Sequence, residues 1–414
     1  MARQVLRVFL QTMDERAEEQ RPAPELLCLG DGDGCLARPR LRVRSSFLCA
    51  PPKRLHERIL VHVHRVSTFR NAPSSWPNVE APGRPRCSMC DPLPPEMPDA
   101  TNPYEHGLAY VDGSVVPLAE ARIPLVDAGF TRSDVTYDVV AVWKGSFFRL
   151  PEHLERFRRS RELMRLEIGF DDAALAELLI GLVAESALRD AYVSMIATRG
   201  TPPTGSRDPR NFRNRLYAFA CPYLWVFSPE LQERGIRAIV SSTIRTPPAA
   251  FDPTIKNFQW GDLMRGLWEA LDDGAEAGIL LDRDGNVTEG AGFNVFAVVD
   301  GAVRTPADGA LLGITRRTVL ELAREEGLPT RVGPLHVDEL RAADEVFFTT
   351  TAGGVMPVAS LDGKPNAYGG PGPISLRLRT LYWEAHERPE WSTPVDYEQA
   401  ADEQVAGGYS SVRG

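Results

Sequence analysis

The stretch Asp252-Pro-Thr-Ile-Lys256-Asn-Phe-Gln-Trp-Gly-Asp262 places a lysine among apolar and aromatic residues. Lysine is scarce in this chain: it occurs only at positions 53, 144, 256 and 364, so nearly all of the 47 basic residues are arginine. Arginine serves most surface roles, but only a lysine amine, especially a desolvated one, can form a Schiff base. Taken alone, such a stretch more often marks a lysine that extends from a loop into solvent. The interpretation of Lys256 as a reactive amine therefore depends on residues elsewhere in the chain.

A second candidate is an acid flanked by glycines. The stretch Asp282-Arg-Asp-Gly-Asn-Val-Thr-Glu289-Gly-Ala-Gly-Phe-Asn294 predicts a turn followed by a strand. Glycines on both sides of Glu289 allow a flat ligand to approach closely. A carboxylate against a pyridine nitrogen keeps that nitrogen protonated and makes the ring an electron sink. A loop acid that caps a turn is an equally good interpretation of this stretch alone.

Three further segments carry groups suited to a phosphate. Gly313-Ile314-Thr315-Arg316 opens a predicted amphipathic helix, whose free N–H groups and dipole favour an anion. Thr349-Thr350-Thr351-Ala352-Gly353-Gly354 follows a predicted strand and offers hydroxyls in a turn. Arg156 lies on a predicted helix and is able to bind a phosphate in bidentate fashion, although an exposed helical arginine is more frequent. Each signal is common, but their combination in this order with the lysine and the glutamate is not.

Hydrophobic periodicity predicts an α/β chain of two domains, a small one over 101–222 and a larger one over 227–400, followed by a tail over 401–414. The turns Asp112-Gly113, Lys144-Gly145 and Asp300-Gly301 predict hairpins. We also predict a loop over 200–214. The remaining predicted elements are strands over 192–198, 216–227, 278–281, 292–299 and 346–350, and helices that start at Pro151 or run over 173–185, 261–272, 315–326 and 374–386.

The first 100 residues differ from the rest. They show no sustained period, and 72–98 is rich in proline, so we interpret 1–100 as a disordered Pro- and Arg-rich extension or as upstream translation, with Met97 as an alternative start. Cys87 and Cys90 form a lone C-x-x-C pair. Zinc takes four ligands, so the pair would need help from His56, His62 or His64, and we predict reduced thiols and no metal.

Composition narrows the class of protein. Of the 414 residues, 43% are hydrophobic and 25% charged, which is typical of soluble globular proteins. The net charge of −9 argues against nucleic acid as a partner. No run approaches eighteen uncharged apolar residues, and the N-terminus lacks the pattern of a secretory signal, so we expect no membrane span and a cytoplasmic protein.

Together these stretches resemble the class IV aminotransferases, the fold type IV group of pyridoxal 5'-phosphate (PLP) enzymes that includes D-amino-acid aminotransferases. The resemblance covers roughly residues 102–400 and is greatest to the (R)-selective amine transaminases. The blocks that carry it are Val116-Pro-Leu-Ala-Glu-Ala-Arg-Ile-Pro-Leu-Val-Asp127, Asp134-Val-Thr-Tyr-Asp138, His153-Leu-Glu-Arg156, Pro253-Thr-Ile-Lys-Asn-Phe-Gln-Trp-Gly-Asp-Leu263, Thr288-Glu-Gly-Ala-Gly-Phe-Asn294, Gly313-Ile-Thr-Arg316 and Thr350-Thr-Ala-Gly-Gly-Val-Met-Pro357.

The resemblance implies a role for each matching residue. Lys256 would bind PLP as a Schiff base and shuttle a proton, and Glu289 would pair with the pyridine nitrogen. The large domain would hold the cofactor, and the protein would be a homodimer. The implied phosphate ligands are Arg156, Ile314, Thr315, Thr350 and Thr351, and the implied substrate contacts are Tyr137 and Ala352.

Two departures from the pattern concern the substrate. The amine transaminases carry histidine where this chain has Arg132 in Phe130-Thr-Arg132-Ser-Asp134. An arginine there would meet a carboxylate and shift the preference toward amino acids. Family members also use a mobile arginine for the carboxylate of the keto acid, and the loop here offers Arg207, which is better spaced, or Arg210.

We therefore predict a transaminase that moves an amino group from a primary amine or an amino acid to a keto acid such as pyruvate, with an (R)-selective amine transaminase as the favoured interpretation. A D-amino-acid or branched-chain aminotransferase on the same fold is the nearest alternative. An aminodeoxychorismate-type lyase and an inactive protein that keeps the scaffold are the remaining ones.

Overall fold

The computed structural model describes residues 102–398. The predictions made for residues 1–100, for the Cys87–Cys90 pair and for the tail over 401–414 lie outside this part of the chain. Within it the chain builds two β-sheets with helices packed against them, which confirms the mixed α/β class. The division into domains at residues 222–227 stays a prediction.

The first sheet has seven strands in the order β16-β4-β3-β5-β6-β1-β2, and every neighbouring pair is antiparallel. Helices α2 and α3 cover it, and their apolar side chains form one buried cluster with those of β3 and β5. The elements are β1 Leu108–Val111, β2 Ser114–Pro117, α1 Ala128–Arg132, β3 Val135–Trp143, β4 Ser146–Phe148, α2 Leu150–Met164, α3 Asp172–Ser186, β5 Ala191–Thr201, β6 Arg213–Pro222 and, far along the chain, β16 Ser392–Pro394.

The second sheet has nine strands, six of which close into a ring in the order β10-β13-β14-β7-β8-β9, because β9 also pairs with β10. Strands β11 and β12 extend it beyond β10, and β15 pairs with β14. The elements are α4 Pro229–Arg234, β7 Ile236–Ile244, α5 Gly261–Asp272, β8 Ala277–Leu281, β9 Val287–Gly290, β10 Phe293–Val299, β11 Ala302–Thr305, α6 Ile314–Glu325, β12 Thr330–Val332, α7 Val337–Arg341, β13 Glu345–Thr350, β14 Gly354–Leu361, β15 Lys364–Pro365 and α8 Pro373–Glu384.

The ring has an apolar interior and an apolar outer face. Alternate residues of a strand point to opposite faces, so Phe348 packs inside the ring with Phe293, whereas Phe347 packs outside with Phe296 against helices α6 and α8. Aromatic residues of this size bury much apolar area. The strands that carry the polar residues described below are therefore held from both sides.

Tight turns explain several strand pairings. In the three predicted hairpins, Asp112-Gly113, Lys144-Gly145 and Asp300-Gly301, both turn residues have positive φ, for example 51° and 90° in the first. Such turns match the twist of antiparallel strands and favour glycine at the second position. These predictions are confirmed.

The strand predicted over 192–198 is longer, Ala191–Thr201, and another predicted strand differs from the observed one by five residues at its C-terminal end. The strand predicted over 216–227 runs over Arg213–Pro222 instead. Its partner β5 begins at Ala191, which lies opposite Pro222, so the pairing with β5 ends there. Beyond Pro222 the main chain makes single hydrogen bonds, from Tyr223 to Asp190 and from Val226 to Ala352. The chain leaves the first sheet at that point.

Within residues 102–398 no helix is long and apolar enough to cross a membrane. The same part of the chain holds no group of three or more His, Cys, Asp or Glu side chains arranged to bind a metal ion.

Candidate active site

A cavity of about 630 Å³ lies where the loop between β7 and α5 meets strand β3 of the first sheet. It collects most of the predicted site residues, although they come from six separate segments. The predicted residues that line it are Tyr137, Arg156, Lys256, Glu289, Ile314, Thr315, Thr350 and Thr351, and other lining residues include Arg245, Trp260, Asn294 and Thr349.

Lys256 is fixed through its main chain. Its carbonyl oxygen accepts hydrogen bonds from the hydroxyl of Thr136 at 2.6 Å and from the N–H of Tyr137 at 3.1 Å. Its Nζ lies 4.4 Å from the centroid of the Tyr137 ring. The loop is further held by Trp260, whose indole N–H donates to the carbonyl of Asn257 at 3.0 Å. The lysine amine is therefore presented to the cavity by a loop that the neighbouring sheet orients.

The environment of Lys256 favours a neutral amine. Burial, and then the positive charge of Arg156, lower its pKa to about 8, while Asp138 and Glu289 act in the opposite direction. A buried cation loses hydration, which disfavours the charged form. Near neutral pH this side chain thus has a far larger nucleophilic fraction than an ordinary lysine.

Glu289 lies on β9, 6% exposed, directly opposite Asn294 of β10. Its Oε1 accepts hydrogen bonds from Nε and Nη2 of Arg245, at 3.2 and 2.9 Å, and its Oε2 accepts the N–H of Leu311 at 3.0 Å. Burial raises the pKa of Glu289, and Arg245 opposes that shift. The result is a buried carboxylate that faces the cavity with a fixed orientation.

Arg156, on α2, is held by a buried acid. Its Nε and Nη2 each donate to the carboxylate of Asp138 at 2.7 Å, and its Nη1 donates to the carbonyl of Leu312 at 3.3 Å. Asp138 is fully buried and also contacts Nδ1 of His153 at 2.8 Å. Despite its burial, the hydrogen bonds and charges of Arg156 and His153 hold the pKa of Asp138 well below its usual range. Arg156 is therefore oriented rather than freely exposed.

The N-terminus of α6 opens into the cavity near that guanidinium. Gly313 is the N-cap residue. Because it has no side chain, it cannot accept hydrogen bonds from the first N–H groups of the helix. A Cβ on Gly313 would lie 2.1 Å from Oδ1 of Asn294, whose Nδ2 donates to the carbonyl of Leu311. Only glycine allows the helix to begin this close to β10.

The turn after β13 supplies hydroxyls to the same end of the cavity. Thr349, 2% exposed, has a buried Oγ1 with no hydrogen-bond partner among residues 102–398. A buried hydroxyl without a partner costs free energy, so such groups usually mark a ligand or an ordered water. The main chain of the turn is fixed, since Tyr223 Oη donates to the carbonyl of Thr351 at 2.7 Å.

A known family matches the part of the chain that builds this cavity. The family model described as Amino-transferase class IV matches residues 136–361, which is more than half of the chain. The chain belongs to the class IV aminotransferases. These are PLP-dependent enzymes, so the resemblance inferred from the sequence blocks is confirmed at the level of family, fold and enzyme class.

Individual relatives agree with this assignment. A protein named as a putative branched-chain-amino-acid aminotransferase of Methanocaldococcus jannaschii is 31% identical over 289 residues, which cover 69% of this chain and 98% of the relative. The D-alanine aminotransferase of Bacillus licheniformis is 31% identical over 272 residues, covering 65% of this chain and 93% of that protein.

Solved structures show the same fold. The branched-chain amino acid aminotransferase of T.th., solved with pyridoxamine 5'-phosphate, aligns with a TM-score of 0.66 and 31% identity, covering 70% of this chain and 99% of that chain. The branched-chain aminotransferase from Thermoproteus uzoniensis with norvaline aligns with a TM-score of 0.64 and 28% identity, covering 70% and 99%.

Of the four predicted substrate residues of this class IV aminotransferase, Tyr137 is the one that lines the cavity. Ala352 is buried in the turn after β13, where its carbonyl accepts the N–H of Val226. Arg132 and Arg207 are exposed and are not among the residues that line the cavity. The guanidinium of Arg132 lies 5.9 Å from the ring centroid of Phe212. The roles assigned to these four residues stay predictions.

Several residues of the site were not predicted from the sequence. Arg245 and Asp138 pair with predicted site residues, and Thr349 directly precedes two of them. Arg245 and Glu289 are 44 residues apart and Asp138 and Arg156 are 18 apart, and neither separation gives a reason to pair them, because the contacts depend on how strands and helices pack. Thr349 is the exception, since it lies in the same threonine-rich stretch as the predicted residues Thr350 and Thr351.

Proposed function

We propose that this chain is a PLP-dependent transaminase that takes an amino group from a primary amine and transfers it to a keto acid such as pyruvate. The observation that supports it most directly is the position of Lys256, whose lowered pKa leaves a reactive amine beside the buried carboxylate of Glu289 in one cavity.

The residues present fit PLP. Its phosphate would be held at the N-terminus of α6 by the main chain of Ile314 and Thr315, with Arg156 and the hydroxyls of Thr350 and Thr351 around it. Thr349 also lines the cavity, and its hydroxyl, which has no partner among the described residues, would be a further donor there. Glu289 would accept a hydrogen bond from the ring nitrogen. When bound, PLP supplies an electron sink for the carbanion that forms at the substrate carbon.

The protein's own contribution to chemistry is the placement of one proton. We assign Nζ of Lys256 to hold the cofactor at rest and, once released, to remove the proton from the substrate carbon that bears the nitrogen. An amine with a pKa of about 8 is well matched to proton transfer near neutral pH. The hydrogen bonds to its carbonyl from β3 keep the loop, and thus the amine, in reach of that carbon.

Pairing of the charges in the cavity supports a donor without a carboxylate. The two arginines that line the cavity already have a place in it: Arg156 pairs with Asp138 and is proposed above for the phosphate, and Arg245 pairs with Glu289 and Asp262. The cavity is partly aromatic, since Tyr137, Trp260 and Phe293 line it. An apolar amine would bury its substituent there without leaving a charge unpaired. The preference for the (R) configuration rests on the sequence blocks shared with the amine transaminases.

The keto-acid acceptor does carry a carboxylate. Arg207 lies exposed between β5 and β6 and has no acidic partner among the described residues, so we propose it as the group that moves to bind this carboxylate. Arg210 is less suited because its guanidinium is already paired with Asp208.

A D-amino-acid or branched-chain aminotransferase is the second candidate. It is favoured by Arg132, whose guanidinium contacts only an aromatic ring among the described residues and is thus free to bind a donor carboxylate. The relative from Methanocaldococcus jannaschii is named as a putative branched-chain-amino-acid aminotransferase and that from Bacillus licheniformis as a D-alanine aminotransferase, which also favours this candidate.

We also propose that the protein acts as a homodimer. The segment around α1 exposes Ile123, Leu125, Val126 and Phe130, and Leu125 is 76% exposed. An apolar patch of this kind usually marks a protein interface. Sedimentation velocity on the purified protein tests this: a monomer at micromolar concentration would contradict it.

Two measurements test the proposed function. Reduction of the purified enzyme with borohydride, followed by digestion, should place the pyridoxyl label on the peptide that contains Lys256. Steady-state assays with (R)-1-phenylethylamine, D-alanine and L-leucine as donors and a keto acid as acceptor then rank the candidates. Fast turnover of an amino acid without turnover of the amine would establish the second candidate instead, and a label on another peptide would overturn both.

A further inference from the structure

We propose that Arg245 is a positioning residue that keeps Glu289 ionised and aimed at the ring nitrogen of the cofactor, and that Asp262 fixes Arg245 in that position. This inference rests on the proposed function, since it concerns the same cavity. It assigns a role to a buried ion triad that lies behind the carboxylate.

The geometry of Arg245 joins three elements. Its main-chain N–H, just past the end of β7, donates to the carbonyl of Leu281 at 2.9 Å, which anchors the residue next to β8. Its Nε and Nη2 converge on one oxygen, Oε1 of Glu289. Its remaining nitrogen, Nη1, donates to Oδ2 of Asp262 at 2.6 Å. The guanidinium thus spans the space between β9 and the first turn of α5.

Asp262 is itself restrained. Its Oδ2 also accepts the N–H of Thr246 at 2.6 Å, and its Oδ1 accepts the N–H of Leu263 at 2.8 Å. Because two main-chain N–H groups fix the carboxylate of Asp262, the guanidinium of Arg245 must adopt the position that this carboxylate allows. Asp262 therefore determines where the opposite edge of Arg245 meets Glu289.

The two oxygens of Glu289 are used unequally. Oε1 accepts two N–H groups from Arg245, whereas Oε2 accepts only the N–H of Leu311 among the described residues. A carboxylate oxygen has room for two hydrogen bonds. Oε2 thus keeps one acceptor position while the carboxylate is held from behind, and Glu289 lines the cavity. The N–H of a protonated pyridine ring would donate to this remaining acceptor position of Oε2.

The charge of the triad is also suited to that ligand. Two carboxylates, Glu289 and Asp262, share one guanidinium, which leaves one net negative charge in a buried region. A protonated ring nitrogen would neutralise it. Without Arg245, burial would favour the neutral form of Glu289, and a neutral carboxyl cannot hold the ring nitrogen in its protonated state.

Arg245→Met tests this in the holoenzyme by two readouts other than turnover. Affinity for PLP should fall about 10- to 100-fold, as is usual when a group that orients a direct ligand is removed. The midpoint of the pH titration of the cofactor's visible absorption should rise by roughly one unit, because a positive charge is lost nearby. Arg237, on β7, is exposed and pairs with Glu276, which directly precedes β8. It gives the matched control Arg237→Met, for which neither readout should change.

The double variant separates positioning from a structural role. If Arg245 acts through Glu289, then Arg245→Met in a Glu289→Gln background should change the affinity less than about twofold further. Losses that multiply in the double variant, or a single variant with wild-type affinity and midpoint, would overturn the inference. Should Arg245→Met not fold, Arg245→Lys serves in its place: one ammonium cannot bridge both carboxylates, so shifts in the same direction but smaller are expected.

The outcome of the borohydride experiment distinguishes the two levels of the proposal. Wild-type protein without a label at Lys256 overturns the proposed function and this inference together. Wild-type protein labelled at Lys256, with Arg245→Met unchanged in both readouts, overturns only the role of Arg245.

Discussion

The main-chain carbonyl oxygen of Lys256 accepts a hydrogen bond of 2.6 Å from the hydroxyl of Thr136. The two residues are 120 positions apart in sequence, and Thr136 is fully buried on β3. The lysine loop is thus attached to a strand of the other sheet, so the reach of the amine depends on a residue that is far from it along the chain.

Thr136→Val should loosen this attachment. The buried carbonyl keeps its bond from Tyr137, so the free energy of unfolding should fall by only about 1 to 2 kcal/mol, while kcat should fall by a larger factor than this loss of stability accounts for. Thr318→Val is the matched control, since its buried hydroxyl donates to a carbonyl within α6. Equal turnover of the two variants would show that the hydroxyl does not position the loop.

The rate at which apoenzyme takes up PLP should depend on the ionisation of Lys256. Only the neutral amine attacks the aldehyde, so the rate should rise roughly tenfold per pH unit below a pKa of about 8 and level off above it. Stopped-flow absorbance between about pH 6 and about pH 10 measures this. Lys256→Arg should show no uptake into a covalent form, and a rate that keeps rising to about pH 10 would indicate an unperturbed lysine.

The same lysine should affect the stability of the apoenzyme. Its pKa in the folded chain, about 8, is below the ordinary value of 10.5. Between these two values the unfolded chain binds a proton that the folded chain does not, so the contribution of Lys256 to the free energy of unfolding should increase with pH. Urea denaturation of wild type and Lys256→Met across this window should show a difference that changes in this direction.

Asp138→Asn should be severely destabilising. It removes a buried carboxylate that neutralises Arg156 and accepts from His153, and breaking such a buried pair costs about 3 to 5 kcal/mol. Because the pKa of Asp138 is lowered, its contribution is present above the ordinary carboxyl range and is lost as pH falls through and below about 4. The difference between wild type and variant should therefore shrink in acid.

Asp112→Asn provides the comparison for Asp138→Asn. Asp112 pairs with Arg215, but its side chain is 56% exposed, and exposed pairs contribute at most about 1 kcal/mol. Asparagine also tolerates the left-handed backbone of this position. Similar losses in chemical denaturation of the two variants would contradict a special role for the Asp138–Arg156 pair.

Thr349→Val should have opposite effects on the apoenzyme and on cofactor binding. The hydroxyl has no partner among residues 102–398, so its removal should leave the apoenzyme unchanged or raise the free energy of unfolding by about 1 kcal/mol. PLP should bind about fivefold more weakly, because a hydrogen-bond donor at the phosphate end is lost. Thr305→Val removes a buried hydroxyl that donates to the carbonyl of Val295, so it should lower the free energy of unfolding and leave the affinity for PLP unchanged. Titration of tryptophan fluorescence with PLP measures the affinity of each variant.

The sequence predicts the parts of the site that are local in the chain. Lys256, Glu289 and the start of α6 each lie in a compact block whose composition carries its chemistry, and the structure brings all three to one cavity. Arg245 could not be predicted as a partner of Glu289, because the two residues are 44 positions apart and meet only through the pairing of β7, β8 and β9.

The fold is predictable to a similar extent. Helices with a strong 3.6-residue period are predicted to within one or two residues, for example α5, predicted over 261–272 and observed as Gly261–Asp272. The start of strand β14 is not predicted, since Gly353-Gly354 indicates a turn but the strand begins at Gly354 itself. Closure of the ring through β9 and β10 depends on non-local pairing, which periodicity does not encode.

The last short strand of the described chain, β16, pairs with β4, and the carbonyl of the adjoining Trp391 accepts the N–H of Arg149. These contacts join residues more than 240 positions apart. During synthesis on the ribosome, β4 therefore stays an unpaired edge of the sheet that carries Tyr137 until every strand of the second sheet has been made. The order of translation thus makes completion of the first sheet one of the last events in the assembly of the site.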